Sequence, residues 1–123
     1  MKRLPRGELE AQIMDVIWDA PEALTPHEVQ LAVSSSRRPL AYNTITTVLV
    51  RLWDKGMLER MPVGRGFAYQ PIAGREEWAA QRMREVLDAS GDPLSALHHF
   101  VDAISAREAT ELRKVLESRK RRR

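Results

Sequence analysis

The sequence predicts a mainly α fold carrying one small β-hairpin. Three observations lead there. Apolar residues recur at helical spacing over most of the 123 residues; one stretch, 57–71, is punctuated by Gly64-Arg65-Gly66 in the manner of a hairpin; and Thr/Ser-x-x-Glu capping boxes mark helix starts at Thr25 and Ser105. In the first helix, 8–19, Leu9, Ile13, Val16 and Ile17 form one apolar stripe. Ala11, Met14 and Trp18 form a second on roughly the opposite side, as in a helix sandwiched between two packing partners. Pro21 closes it. Thr25-Pro26-His27-Glu28 opens the second helix, with proline at the first helical position, where its missing N–H costs nothing. That helix carries Val29, Leu31, Ala32 and Val33 and ends in the run Ser34 to Pro39.

The third helix, about 41–55, has the cleanest periodicity: Ile45, Val48, Leu49 and Leu52 stand at i, i+3, i+4 and i+7. Its other side displays Asn43, Thr46, Thr47 and Val50, flanked by Thr44 and Arg51, with Tyr42 near the core boundary. Lys55-Gly56 supplies a cationic last turn and a left-handed cap. Two short strands, 57–61 and 67–71, follow around the Gly-Arg-Gly turn. Beyond Gly74 the pattern is purely helical. Residues 75–89 carry Ala79, Met83, Val86 and Leu87; Gly91-Asp92-Pro93 interrupts; 94–104 aligns Leu94, Leu97, Val101 and Ile104 with Phe100 at the edge. The Ser105 box then opens a last helix with Ala109, Leu112, Val115 and Leu116.

Composition bounds the function. The chain has 43% apolar and 30% charged residues, 6 glycines and 7 prolines, a balance that folds rather than staying disordered. Cysteine is absent, which removes disulfides, thiolate catalysis and cysteine-held metals. No apolar run approaches the ~18 residues of a membrane span and no signal-peptide core opens the chain, so a cytoplasmic protein without membrane insertion is expected. The net charge is +3, yet Arg119 to Arg123 alone contribute five positive charges, so the basicity belongs to the tail more than to the fold. A tail of this kind favours an anionic partner without selecting one. The basic start, Met1 to Arg6, either touches such a partner or frays.

Catalysis is not expected. The three histidines, His27, His98 and His99, include no i, i+4 pair, and there is no phosphate-binding loop, dinucleotide fingerprint or nucleophile elbow. Glu76, Glu77 and Glu85 lie on charged helix faces, where solvation is the default. Neither cofactor nor metal is implied.

Three helices followed by a hairpin within about 70 residues is the layout of a winged helix-turn-helix, in which two helices buttress a third. The outer face of that third helix decides the function. An ordinary solvated face carries Glu and Lys at i, i+4 spacing. This one carries Asn, Thr, Thr and Val, poor helix formers that suit base edges and a thymine methyl. The expected contacts to double-stranded DNA are Asn43, Thr44, Thr46, Thr47, Val50 and Arg51. Arg65 at the wing tip, Thr25 with His27 at a helix N-terminus, and Tyr42 complete the set. The remaining ~50 residues are too few for a core of their own. A homodimer through Leu87, Leu94, Leu97, Phe100, Val101, Ile104, Leu112 and Leu116 solves that, the alternative being packing on the chain's own N-terminal part. Two linked copies on a palindrome also gain by effective concentration.

The residues match a known family over nearly the full length. Ile17-Trp18, the run Thr44-Ile45-Thr46-Thr47-Val48-Leu49-Val50-Arg51-Leu52 with Lys55-Gly56, Tyr69-Gln70-Pro71, Gly91-Asp92, Leu97 to Phe100 and Glu108 to Leu116 together resemble the BlaI/MecI penicillinase-repressor family of winged-helix regulators. The resemblance implies a homodimeric repressor on an inverted-repeat operator, often built from TACA/TGTA elements. It implies contacts from positions matching Asn43, Thr44, Thr46, Thr47 and Arg51 and from the wing. Asn43 and Thr46 stand where the best-known members carry basic residues, and the C-terminal cysteines of the copper-responsive branch are absent. In antibiotic-responsive members a membrane sensor metallopeptidase leads to cleavage of an Asn-Phe bond in the dimerisation region; the matching bond here is His99–Phe100.

The expected organisation is a winged helix-turn-helix DNA-binding domain at 1–73, a C-terminal helical dimerisation region at 74–118 and a basic tail at 119–123. Two rivals remain at this point: a ligand-gated regulator of the MarR type, marked by a small-molecule pocket between the halves, and a winged-helix protein-interaction module, marked by salt-insensitive protein binding.

Overall fold

Helical spacing becomes helix wherever the sequence shows it: α1 (Arg6–Asp19), α2 (Pro26–Ser34) and α3 (Tyr42–Asp54) precede the hairpin β1 (Leu58–Val63) and β2 (Gly66–Pro71). Then come α4 (Arg75–Asp88), α5 (Pro93–Ala103) and α6 (Ala106–Arg121). The computed structural model describes residues 6–34 and 40–122. The expectations placed on the basic start, on the end of the second helix at 35–39 and on Arg123 lie outside the described residues. The chain divides into two compact units, Met1–Arg82 and Met83–Arg123.

The first unit is a winged helix-turn-helix. Its core joins Ile13, Met14 and Ile17 of α1, Val29 and Val33 of α2, Ile45, Val48, Leu49 and Leu52 of α3, and Met57, Leu58, Tyr69 and Ala73. The four-residue stripe of α3 is buried as its periodicity requires. The two opposed stripes expected on α1 are instead the flanks of one broad face. Its centre is Glu10, Ile13, Met14 and Ile17, all buried, with Leu9, Val16 and Trp18 packed partly against the core. A buried glutamate in mid-face splits the apolar pattern in two. Of the apolar residues carried by α2, Val29 and Val33 are buried and Leu31 and Ala32 exposed, because α2 is nine residues long and turns only one side to its neighbours.

The termini are built by local hydrogen bonds. Thr25 and Glu28 close a reciprocal box at α2: Glu28 N donates to Thr25 Oγ1 (3.3 Å) and Thr25 N donates to Glu28 Oε1 (2.9 Å). At the end of α3, Gly56 N donates to Trp53 O and Met57 N to Leu52 O, both at 3.0 Å, the paired pattern that needs a left-handed residue; Gly56 has φ +79°. Met57 thus ends the helix instead of beginning the strand. β1 runs on through Pro62 to Val63, which pairs with Gly66, so the turn is the two residues Gly64-Arg65 with Gly64 at φ +60°. A two-stranded ribbon leaves each strand a free edge, where proline is tolerated. Leu24 adds a third, one-residue rung, exchanging backbone bonds with Tyr69 at 2.9 and 2.7 Å. The wing is therefore tied to the segment before α2. Trp18 Nε1 donates to Ala73 O (2.9 Å) and meets Trp78 edge-on at 6.1 Å between centroids, docking the start of α4.

The second unit has well-made helices and no core. Asp92 caps α5 by accepting from Ser95 N (3.2 Å), and Ser105 and Glu108 form a second reciprocal box at α6. The residues Arg119, Lys120 and Arg121 form the last turn of α6, where cations meet the negative end of the helix. No residue of α4, α5 or α6 is buried.

The two boxes carry a pH signature. Glu28 and Glu108 are held below the usual carboxylate range, chiefly because each accepts the backbone N–H of its own cap residue, Thr25 or Ser105. A carboxyl whose folded pKa is depressed stabilises the fold fully above its unfolded value, near ~4.3, and loses that contribution as pH falls through the folded value. Circular dichroism should therefore show helicity falling below about pH 4 in the native chain. The fall should be shallower in the double variant Glu28→Gln, Glu108→Gln; identical acid profiles would refute the assignment.

Candidate nucleic-acid interface

Burial of Ile45, Val48, Leu49 and Leu52 turns the opposite side of α3 outward. Asn43, Thr44, Thr47 and Val50 are all exposed there, Val50 at 40%, and form one ridge of short, uncharged side chains. Tyr42, at the first turn, is exposed at 48% rather than packed at the core boundary. Thr46 is half-buried, and its hydroxyl donates back to the carbonyls of Tyr42 (3.2 Å) and Asn43 (3.0 Å). With its one proton so engaged, Thr46 can offer an incoming base only acceptor capacity and its methyl group.

Arg51 flanks the ridge. It is half-buried, with Nη1 3.8 Å from Oε2 of Glu10. Glu10 is fully buried, and Lys55 Nζ donates to both its oxygens at 3.1 and 3.2 Å. This knot ties α1 to the last turns of α3, and sequence reasoning missed it. The available signal was spacing: Glu10 stands three, four and seven residues before Ile13, Met14 and Ile17, in the centre of their face. Lys55 was expected only as a cation at a helix end. In fact it neutralises a buried carboxylate, which an apolar interior otherwise tolerates poorly.

The other expected contacts lie apart from the ridge. Arg65 is exposed at the turn of the hairpin. The Thr25 hydroxyl accepts from Glu28 N and donates to Glu28 Oε1 (3.1 Å), so it is spent within its own box. A phosphate arriving at that helix terminus would meet a carboxylate already seated there. Between α3 and the wing tip stands a feature outside all the sequence stripes. The Arg60 guanidinium lies 3.7 Å from the ring centre of Trp53 and 4.0 Å from that of Phe67.

In the second unit, Leu94, Leu97, Phe100, Val101 and Leu116 are exposed, Leu94 at 73%; Leu87, Ile104 and Leu112 are half-buried. His99 and Phe100 are consecutive exposed residues in α5. Among the described residues no group of three or more His, Asp or Glu side chains could hold a metal ion. Among them, too, no helix is long and apolar enough to cross a membrane.

Comparison with known proteins agrees with this geometry. A family model described as penicillinase repressor matches residues 6–118. The chain is 40% identical over 120 residues to the transcriptional regulator BlaI of Mycobacterium tuberculosis, spanning 94% of this chain and 86% of that relative. It is 31% identical over 129 aligned residues to the penicillinase repressor of Bacillus licheniformis, spanning 99% and 98%. Among solved structures it is similar to the DNA binding domain of the repressor BlaI in solution, at 32% identity and a TM-score of 0.51, covering 63% of this chain and 93% of that one.

Proposed function

Since the chain belongs to the penicillinase repressor family, whose members are transcriptional repressors and not enzymes, we propose that it is a cytoplasmic homodimer that silences transcription by occupying an inverted-repeat operator. The observation that carries the reading is the outward ridge of α3. An uncharged helix face of Asn, Thr and Val offers the donors, acceptors and methyl groups that base edges in a major groove about 12 Å wide can match. Asn43 has the donor and acceptor for an adenine edge, Thr47 a hydroxyl for a base edge, and Val50 a methyl pair for thymine. Arg51 reaches phosphate or guanine from the flank, releasing Glu10 to Lys55. Arg65 carries the wing tip toward the adjacent minor groove.

The second unit supports the dimer. Its helices, α5, α6 and the last turns of α4, bury no side chain and cannot hold themselves together, and a two-fold partner presenting the same stripes covers both sets. Repression then follows from occupancy of the promoter. Release follows from a sensor metallopeptidase that cuts His99–Phe100: the cut removes α6 and the end of α5, and with them the avidity of two linked readers. Because the bond lies within a helix, α5 must open for cleavage. Incubation with the cognate peptidase should yield a fragment ending at residue 99, and an intact chain would dispose of this route.

Footprinting on the chain's own promoter tests the central reading. Two protected half-sites related by a dyad are expected. Thr47→Ala should lose about 1–3 kcal/mol of discrimination between that site and a scrambled duplex, while its affinity for scrambled DNA is unchanged. Equal binding to both duplexes by the native protein would defeat the proposal.

A further inference from the structure

The ribbon β1–β2 has one face that continues the core. Leu58 and Tyr69 are buried at its base, and along the same face, toward the turn, lie Arg60, Pro62 and Phe67. Arg60 is opposite Tyr69 in the register, three rungs from the closing pair Val63–Gly66 and so about 10 Å short of the tip. Trp53, on the last turn of α3, and Phe67 both present a ring to its guanidinium, at 3.7 and 4.0 Å from the ring centres. Both rings remain more than a third exposed, so the cluster sits at the surface. Among the described residues the guanidinium has these two ring contacts and no hydrogen bond or ion pair. An arginine whose guanidinium contacts two aromatic rings has lost much of its rotamer freedom before any ligand arrives.

We propose that Arg60 is a phosphate-binding residue, pre-oriented by Trp53 and Phe67, that grips the DNA backbone between the groove read by α3 and the groove met by the wing. The inference rests on the DNA-binding reading above and deepens it. If α3 enters a major groove and Arg65 approaches the adjacent minor groove, the phosphate ridge dividing the two grooves must pass between them. Arg60 stands in that interval. A guanidinium suits a phosphate there because two parallel N–H groups match two phosphate oxygens, and the contact is indifferent to base sequence. Arg60 therefore sets how firmly the wing and α3 straddle the backbone and contributes nothing to which bases are chosen.

The experiment compares native protein, Arg60→Ala, Arg60→Lys and Trp53→Leu, all full-length, on the footprinted promoter fragment and on a scrambled duplex across a salt series. Arg60→Ala should weaken binding to both duplexes alike, by about tenfold, and reduce the slope of log affinity against log salt by about 0.9, the release of one phosphate's counterion. Arg60→Lys should restore the slope and only part of the affinity, because charge returns without the fork. Trp53→Leu should keep the slope and lose affinity through orientation. A fold-only role would lower the melting temperature and leave the salt slope untouched, so an unchanged slope in folded Arg60→Ala overturns the inference while the native protein's binding leaves the repressor reading standing. If the native protein binds neither duplex, both fall together.

Discussion

Leu97→Glu combined with Phe100→Glu is expected to turn the protein into a monomer that binds the full operator about 10²–10⁴-fold more weakly. Both residues lie exposed on α5, in a unit whose helices, α5, α6 and the end of α4, bury no side chain. In the proposed dimer the other copy removes their apolar area from water, at roughly 25 cal/mol per Å². Introduced carboxylates oppose one another across a two-fold axis and keep their hydration in the separated chain. The loss of affinity is large because the second half-site contact is an intramolecular event in the dimer and a separate encounter in the monomer. Sedimentation measures the mass, and a gel-shift titration on full and half operators measures affinity. Half-site binding should stay close to native, since α1, α2, α3 and the wing form a core to which neither residue contributes. A variant that remains dimeric, or a monomer that keeps full-operator affinity, would contradict the proposed assembly.

Lys55→Ala should destabilise the first unit by about 3–5 kcal/mol, an exceptional cost for a residue at a helix end. Glu10 stays buried while losing the ammonium that bonds both its oxygens, and Arg51 is farther away at 3.8 Å. Two results separate this from a general weakness of the helix end. Lys55→Arg should retain most of the stability, because a charge still reaches the carboxylate. Glu10→Met together with Lys55→Met should lie much closer to native than Lys55→Ala, since it leaves no buried carboxylate to desolvate. Thermal melts of the four proteins decide the matter. A loss below about 1 kcal/mol for Lys55→Ala would show the carboxylate to be indifferent to the ammonium beside it.

These expectations differ in how visible their residues were beforehand. Asn43, Thr47 and Val50 were legible as the outer ridge, with Thr44 at its flank, because that face is the complement of a clean four-residue stripe on one helix; Thr46, expected on the ridge with them, is half-buried. Periodicity alone says which side of a helix is left over. Both capping boxes and the hairpin were legible for the same reason: each depends on residues within a few positions of one another, and such patterns survive in any surroundings. The exact turn was less so, because Pro62 reads as a strand breaker until the free edge of a two-stranded ribbon is known. Glu10, Trp78 and Arg60 were not legible at all. Each is explained by a partner far along the chain or across a strand pair, namely Lys55, Trp18, and Trp53 with Phe67.

The sequence by itself determined the element order, the winged helix-turn-helix class and the helix face left for a ligand, since each follows from spacing along one segment. Only the tertiary structure decided that the two stripes of α1 are one face closed around a glutamate. It alone decided, too, that Thr46 and Thr25 spend their hydroxyl protons at home and that an arginine is held against rings of α3 and β2. A hydrogen bond, a buried charge pair or a stacked cation requires two groups to be brought within a few ångströms. Distance in space between remote segments is the quantity that a linear pattern does not contain.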